Sequence, residues 1–235
     1  MREILFSGAK RLGLALEDSA LGQFENYARI LEEENRKINL TAVTGEREIA
    51  ERHFIDSLAV LAAAGDIVKG ARVVDVGSGA GFPGLPMKIA EPSICLTALD
   101  STEKKVQFLR KVCEVLGLSG AEAVFGRAEE LSRLPERREK YDIAVSRAVA
   151  RLNVLAELCL PFVKVGGSFF AMKTASNEEE IKEAANAVKL LGGEMAGQFD
   201  YEIMGASHRI VCIRKVKSTP EKYPRRFAKI QKQPL

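Results

Sequence analysis

Apolar residues recur in two different rhythms along the chain. Up to Gly70 they follow a helical period: Leu21, Phe24, Ala28 and Leu31 form one stripe, and Phe54, Leu58 and Leu61 form another within Ile49–Ala64. Between the stripes, Asn39-Leu40-Thr41-Ala42-Val43 breaks the pattern and offers Asn and Thr side chains for capping or ligand contact. From Arg72 onward, short β-rich runs alternate with longer helical ones. The spacing predicts strands over Arg72–Val76, Ile94–Leu99, Ala121–Phe125, Tyr141–Val145 and Ser168–Met172. It predicts helices over Leu85–Ala90, Glu103–Leu116, Leu152–Phe162 and Glu178–Leu191. This alternation calls for a parallel sheet with right-handed crossovers. Near the end, Gln198–Ile203 and Arg209–Lys215 flank the short link Met204–His208 and read as a β-hairpin. The expected architecture is therefore α/β and Rossmann-like: a mostly parallel seven-stranded sheet, a C-terminal antiparallel hairpin and an N-terminal helical cap.

Composition narrows the setting. An apolar share of 46% with 29% charged residues suits a globular protein with a real core. No uninterrupted apolar stretch approaches the ~20 residues of a membrane span, and MREILFSGAKRLGL carries no secretion signal. Cys95, Cys113, Cys159 and Cys212 are scattered without a CxxC pair, so they read as core fillers of a cytoplasmic protein rather than a disulfide framework or a zinc site. The net charge of +3 hides an asymmetry: nine basic residues and one acidic residue lie between Arg209 and Lys232 (+8), against −5 in the first 208 residues. A basic end on an acidic body points either to a polyanionic partner or to a solvated, partly disordered tail.

The run from Asp75 to Gly84 carries the chemistry. The strand Val73-Val74-Asp75-Val76 leads into Gly77-Ser78-Gly79-Ala80-Gly81-Phe82-Pro83-Gly84, whose glycines allow a sharp turn and close approach of a ligand. Gly79–Gly84 formally matches GxGxxG, which is compatible with a dinucleotide. Asp75 separates the alternatives, because an acid at the strand end repels a pyrophosphate but favours the sulfonium and ammonium of S-adenosylmethionine. Asp100 stands 23 residues after Gly77 at the end of the second strand, where an acid accepts hydrogen bonds from ribose hydroxyls. Ser101 and Thr102 follow, each a candidate helix cap. After the third strand, Glu129 sits where an adenine-binding acid is expected, or is a solvated helix start. A parallel sheet closed by a hairpin also belongs to the methyltransferase variant of the fold more than to dehydrogenases.

At these residues the chain resembles one family closely, the bacterial ribosomal RNA small subunit methyltransferase G family. The resemblance runs from Asn39 to Leu235 and is carried by Asn39-Leu40-Thr41-Ala42, HFIDSL from His53, DVGSGAGFPGLPMKIA from Asp75 and LDSTEKKVQFL from Leu99. GRAEEL from Gly126, SRAVARL from Ser146, LPFVKVGGSFFAMK from Leu160 and TPEKYPRR from Thr219 complete it. It implies methylation of N7 of one guanine in the 530 loop of 16S ribosomal RNA. By the same resemblance the cofactor pocket uses Gly77, Phe82, Asp100, Ser101, Thr102, Ala128, Glu129 and Arg147. Two departures stand out: Thr174 follows Lys173 where the family usually has Gly, and Ala228-Lys229-Ile230 replaces a Gly-x-Pro turn. On this reading the chain divides into a helical cap (1–70), a methyltransferase core (71–216) and a basic tail (217–235).

Guanine N7 has an available lone pair, so the reaction needs positioning rather than a general base, and no catalytic acid or base is assigned. Arg147, after the fourth strand, either grips a cofactor carboxylate or guanine O6, or forms a surface ion pair. Lys173 at the end of the fifth strand is a phosphate contact or a plain surface lysine. Asn39 approaches the pocket or terminates a helix; Phe82 covers the cofactor or fills the core. His53 and His208 read as isolated imidazoles, and no metal is expected. The RNA candidates are Arg209, Arg225 and Arg226, with Arg214, Lys215, Lys217, Lys222 and Lys229, and with Tyr223 and Phe227 interleaved for stacking. The expected partner is 16S ribosomal RNA, within the 30S subunit or an assembly intermediate, approached by a monomer. A small-molecule methyltransferase would share the cofactor argument without using the basic tail. A nicotinamide oxidoreductase would need a Tyr-x-x-x-Lys pair, which is absent.

Overall fold

The computed structural model describes residues 1–147, 150–175 and 178–235. Two helices, α1 (Arg2–Arg11) and α2 (Asp18–Ile38), come first, and α2 buries the expected stripe of Leu21, Phe24, Ala28 and Leu31 together with Tyr27 and Ile30. The next helical segment is not uniform. α3 (Glu46–Ile49) passes through a π-helical turn, Ala50–Ile55, into α4 (Asp56–Ala64). Such wide turns recur at functional sites because they rotate neighbouring side chains out of ordinary helical register.

Strands and helices then alternate: β1 (Arg72–Val76), α5 (Gly84–Ala90), β2 (Cys95–Asp100), α6 (Glu103–Val115), β3 (Ala121–Phe125), α7 (Ala128–Leu131) and β4 (Tyr141–Ser146). After them come α8 (Leu152–Cys159), β5 (Val163–Thr174), α9 (Glu178–Leu190), β6 (Gly193–Ile203), β7 (Ala206–Lys215) and α10 (Phe227–Lys232). The seven strands lie in the order β3-β2-β1-β4-β5-β7-β6. β1 to β5 pair in parallel, whereas β7 pairs antiparallel with both β5 and β6. The chain order reverses beside β1, so the C-terminal ends of β1 and β4 form the crevice where ligands bind in open α/β sheets.

Strand alternation divides the core between the two faces. Val73, Ile143, Val145, Phe170 and Met172 pack with α1, α2, α4, α5 and α6 on one side. Val74, Ala144, Phe169, Ala171 and Val211 pack with α8, α9 and the C-terminal segment on the other. Residues 1–70 thus share one face of the sheet with α5 and α6.

Several expectations needed adjustment. β5 runs past Ser168–Met172 to Val163–Thr174, and β6 begins at Gly193 rather than Gln198. Glycines at 166, 167, 193 and 197 masked those ends, and pairing with β7 supplies the order that local propensity lacks. The hairpin link is two residues, Met204 (φ 50°) and Gly205 (φ 75°), a turn with both central residues left-handed. His208 therefore sits in β7, opposite Tyr201. Of the cysteines only Cys159 is buried; Cys95 is exposed and Cys113 and Cys212 are half-buried, so the core-filler reading holds for one of four.

The basic end is packed down. Tyr223 and Ile230 are buried, and Lys215, counted above among the RNA contacts, has no exposed surface. Its ammonium donates to Leu160 O (2.7 Å), Val163 O (3.1 Å) and Thr219 Oγ1 (2.7 Å) and lies 3.1 Å from Glu139. Burial pulls its pKa down to about 8. Arg138 donates to Thr219 O (2.8 Å) and Tyr223 O (3.0 Å), tying the segment before α10 to the body. Tyr223 is accordingly no stacking platform for RNA. Among the described residues no helix is long and apolar enough to cross a membrane.

Candidate active site

The glycine loop joins β1 to α5 and is fastened from below. Gly77 and Ser78 both donate their N–H to Leu99 O at 2.9 Å, and Gly79 donates to Asp100 Oδ2 at 2.9 Å. Gly77 (φ 76°) and Gly79 (φ 61°) occupy the left-handed region, which L side chains rarely adopt. A Cβ on Gly77 would meet nothing within 4 Å, so the outer face of the turn is open. Gly84 is constrained by space instead: a Cβ there would lie 2.8 Å from Asp75 Oδ2.

Asp75 is fully buried beneath this loop. Its Oδ2 accepts from Ser78 Oγ (2.7 Å) and Gly84 N (2.9 Å), while Oδ1 has no partner among the described residues. Burial raises its pKa to about 6, against the pull of those hydrogen bonds and of Arg147. A buried carboxylate oxygen without a partner is costly, and an ammonium, directly or through a water, satisfies it. Asp100 is also buried; beyond Gly79 it accepts from Thr102 N at 2.8 Å, leaving one further acceptor site on each oxygen. Thr102 occupies the N-cap position of α6, but its side chain makes no cap bond; it and Ser101 are exposed at the rim. Gly126 N bonds Asp100 O at 3.1 Å, which brings α7, with the buried Ala128 and Glu129, beside the same rim. The acids, the open turn and the unsatisfied oxygen fit a cationic, phosphate-free nucleoside.

The second half of the site is a cluster that the sequence did not reveal. Arg147 donates through Nη1 to Asp56 Oδ2 (3.0 Å) and Arg52 O (2.9 Å), lies 3.2 Å from His53 Nδ1 through Nη2, and spans the Phe82 ring at 4.8 Å. Phe82 is buried and stacks on His53 with ring centroids 4.3 Å apart; it fills the junction instead of capping the loop. His53 Nδ1 also lies 3.1 Å from Arg52 O, and its Nε2 lies 2.8 Å from Thr41 Oγ1, so both ring nitrogens are engaged. Burial, then Arg147, pushes the His53 pKa down to about 4. On its other side Asp56 Oδ1 accepts from Tyr201 OH (2.7 Å), with His208 Nδ1 3.5 Å away. His53 and His208 are therefore not isolated, as the sequence suggested. The π-helical turn and the β6–β7 register bring them to the two ends of one ion pair, His53 to Arg147 and His208 to Asp56, and only the His53/Asp56 spacing within HFIDSL hinted at it.

This cluster walls a cleft of about 360 Å³, lined by Asp56, Arg147, Lys173, Glu180, Tyr201 and His208 among others. Lys173 Nζ donates to Ala150 O (2.6 Å) and Glu180 Oε1 (2.5 Å). The other sequence-derived RNA candidates lie elsewhere. Asn39 is exposed, left-handed (φ 49°) and ends α2, its N–H donating to Asn35 O. Arg209 is held by Asp200 across the hairpin at 2.6 and 2.9 Å. Arg225 is bound to Glu157, while Arg226 is exposed at the cap of α10. Arg226 shares a cleft between α7 and α10 with Arg127 and Glu129.

The profile of the family described as rRNA small subunit methyltransferase G matches residues 20–199. The chain belongs to that family. Two curated relatives, each a "Ribosomal RNA small subunit methyltransferase G", come from Pelotomaculum thermopropionicum and Alkaliphilus oremlandii. They are 46% and 45% identical, each over the full length of this chain and 99% of their own. Among solved structures, TrmN from Thermus thermophilus has a TM-score of 0.55 at 21% identity, covering 73% of this chain and 55% of that one. M. jannaschii TYW2 in complex with AdoMet has a TM-score of 0.52 at 14% identity, covering 63% and 70%. These two share the fold. Methyltransferase G membership rests on the full-length relatives and the profile.

Proposed function

We propose that the protein methylates N7 of a guanine in the 530 loop of 16S ribosomal RNA, using S-adenosylmethionine. The full-length match to proteins named for this role carries the reading, and the cation-favouring loop beside a cleft lined by the Arg147–Asp56 and Lys173–Glu180 pairs supports it. S-adenosylmethionine supplies an electrophilic methyl group on a sulfonium. Asp75 and Asp100 hold its ammonium and ribose, with the open turn at Gly77 allowing the backbone close approach. Ser101, Thr102, Ala128 and Glu129 border the adenine, and Phe82 and Arg147 form the wall between cofactor and acceptor. Because N7 attacks through its own lone pair, the chain removes no proton before transfer. Its work is to hold N7 in line with the methyl group.

RNA is drawn in by cations not tied up within the protein. Arg226 and Lys229 on the tail and Arg127 beside α7 are exposed, so they replace Arg209 and Arg225 in this role. The enzyme acts in the bacterial cytoplasm, as a monomer, on the 30S subunit or an assembly intermediate. Residues 1–70 form the helical cap, 71–216 the catalytic core and 217–235 the docked basic tail. The test is transfer of labelled methyl from S-adenosylmethionine to 30S subunits lacking the native modification, followed by mapping. A 7-methylguanine in the 530 loop is expected. No transfer to 30S subunits or 16S RNA, with the cofactor tightly bound, refutes the reading in favour of a small-molecule acceptor.

A further inference from the structure

The cleft at the ends of β4 and β5 holds an ion pair that methyl transfer itself does not use. Lys173 and Glu180 meet at 2.5 Å with side-chain exposures of 8% and 20%. Each is also fixed by backbone. Lys173 donates to Ala150 O, and Leu152 N donates to Glu180 Oε1 at 2.5 Å. An ammonium has three N–H groups, of which two are engaged, and a carboxylate has two oxygens. Among the described residues every hydrogen bond to Glu180 falls on Oε1. The pair therefore presents to the cleft one donor beside one acceptor, in an order fixed by its anchors.

From this order we infer that Lys173 and Glu180 read the Watson–Crick edge of the target guanine, Lys173 donating to O6 and Glu180 Oε2 accepting from N1–H and N2–H. The inference rests on the RNA-methyltransferase reading above. Guanine places an acceptor, O6, next to a donor, N1–H, which matches the pair. Adenine reverses the order, setting N6–H against the ammonium and the N1 lone pair against the carboxylate. A site built to hydrogen-bond one pattern rejects the other because its own buried groups are left unpaired. N7 lies on the adjoining Hoogsteen edge, beyond O6, so contacts to O6, N1–H and N2–H leave the nucleophile's lone pair free to face the methyl group. The Watson–Crick edge is available only in an unpaired, splayed-out base, which is how sequence-specific RNA sites are commonly read. At about 360 Å³ the cleft falls in the size range of small-ligand sites.

The experiment compares 30S subunits carrying guanosine or inosine at the target position, with the wild-type enzyme and with Glu180→Gln. Inosine keeps O6, N1–H and N7 and lacks only the N2 amine. Wild type is expected to lose roughly ten- to hundredfold in kcat/KM on inosine, the scale of a good base contact. In Glu180→Gln the amide oxygen must stay on Leu152 N and Lys173, which turns the NH2 group toward N1–H. That variant should be slow on guanosine and should discriminate against inosine less than about threefold, well under the wild-type contact. Unchanged thermal melting of the variant checks its fold, and the wild-type inosine measurement needs no variant. Equal wild-type rates on the two bases, or full discrimination retained in Glu180→Gln, overturn the assignment while leaving the methyltransferase reading intact. No methylation of guanosine RNA by wild type overturns both.

Discussion

Arg225 closes on Glu157 from three directions: its backbone N–H and Nε each lie 2.8 Å from Oε1, and Nη2 lies 2.6 Å from Oε2. Glu157 has no exposed surface. Removing one member of a buried ion pair strands the other charge, at about 3–5 kcal/mol. Arg225→Ala should therefore lower stability by that order in urea unfolding. Native-like stability in the variant would contradict the pairing.

Arg226 behaves differently because its side chain is exposed. Arg226→Ala and Lys229→Ala should each weaken RNA binding uniformly and reduce the salt slope of log K by about one, with melting temperature unchanged. A slope equal to wild type in both would remove the tail from the RNA interface.

Asp100→Ala removes the acceptor for Gly79 N and Thr102 N as well as the proposed ribose contact. Cofactor affinity measured by calorimetry should fall about ten- to hundredfold, the scale of charge-assisted hydrogen bonds. An unchanged Kd would refute the ribose role.

Asp75 adds a pH dependence to the same measurement. Its carboxyl, raised to about 6 by burial, is protonated in the free protein below that value, and a cationic ligand favours the ionised form. Affinity for S-adenosylmethionine should therefore decline as pH falls below 6, and Asp75→Asn should flatten the profile. A wild-type Kd constant from pH 7 to 5 would exclude contact with the cofactor's charge.

His53 titrates in the opposite sense for stability. Its folded pKa of about 4 lies below the unfolded value of 6.5, so the unfolded chain binds the extra proton between them. The imidazole's contribution is complete above pH 6.5 and is lost as pH falls through 4. The raised pKa of Asp75 runs against it, its contribution fading as pH rises from 3.8 through 6. A difference measurement separates the two: the stability cost of His53→Gln should be largest at pH 7 and shrink toward pH 4. A cost independent of pH would show that the buried imidazole does not titrate in this window.

Most of the sheet and the first half of the site were legible in the sequence. β1 and β3 match their predicted spans, and the Asp75–Gly84 run declares its turn because left-handed glycines and a strand-end acid are local signals. The Arg147 cluster is long-range. Asp56 and Tyr201 are separated by 145 residues, and their contact depends on a π-helical turn and a hairpin register that no local period encodes. The tail misled for a related reason. Arg225 reads as a solvated cation until its partner is found, and the only hint was Glu157 itself, a lone acid inside the apolar run Val154–Phe162.

The strand order has a consequence for how the molecule is made. β7, the last of the seven strands synthesised, inserts between β5 and β6 and so occupies the middle of that half of the sheet. Until Ala206–Lys215 leave the ribosome, β5 presents an open edge, and His208, one wall of the cleft beside Arg147, is missing. Exposed edges of that kind invite pairing with other chains. A newborn chain thus stays vulnerable and inert until β7 emerges. Premature termination upstream of β7 then yields an aggregation-prone product rather than a partly active one.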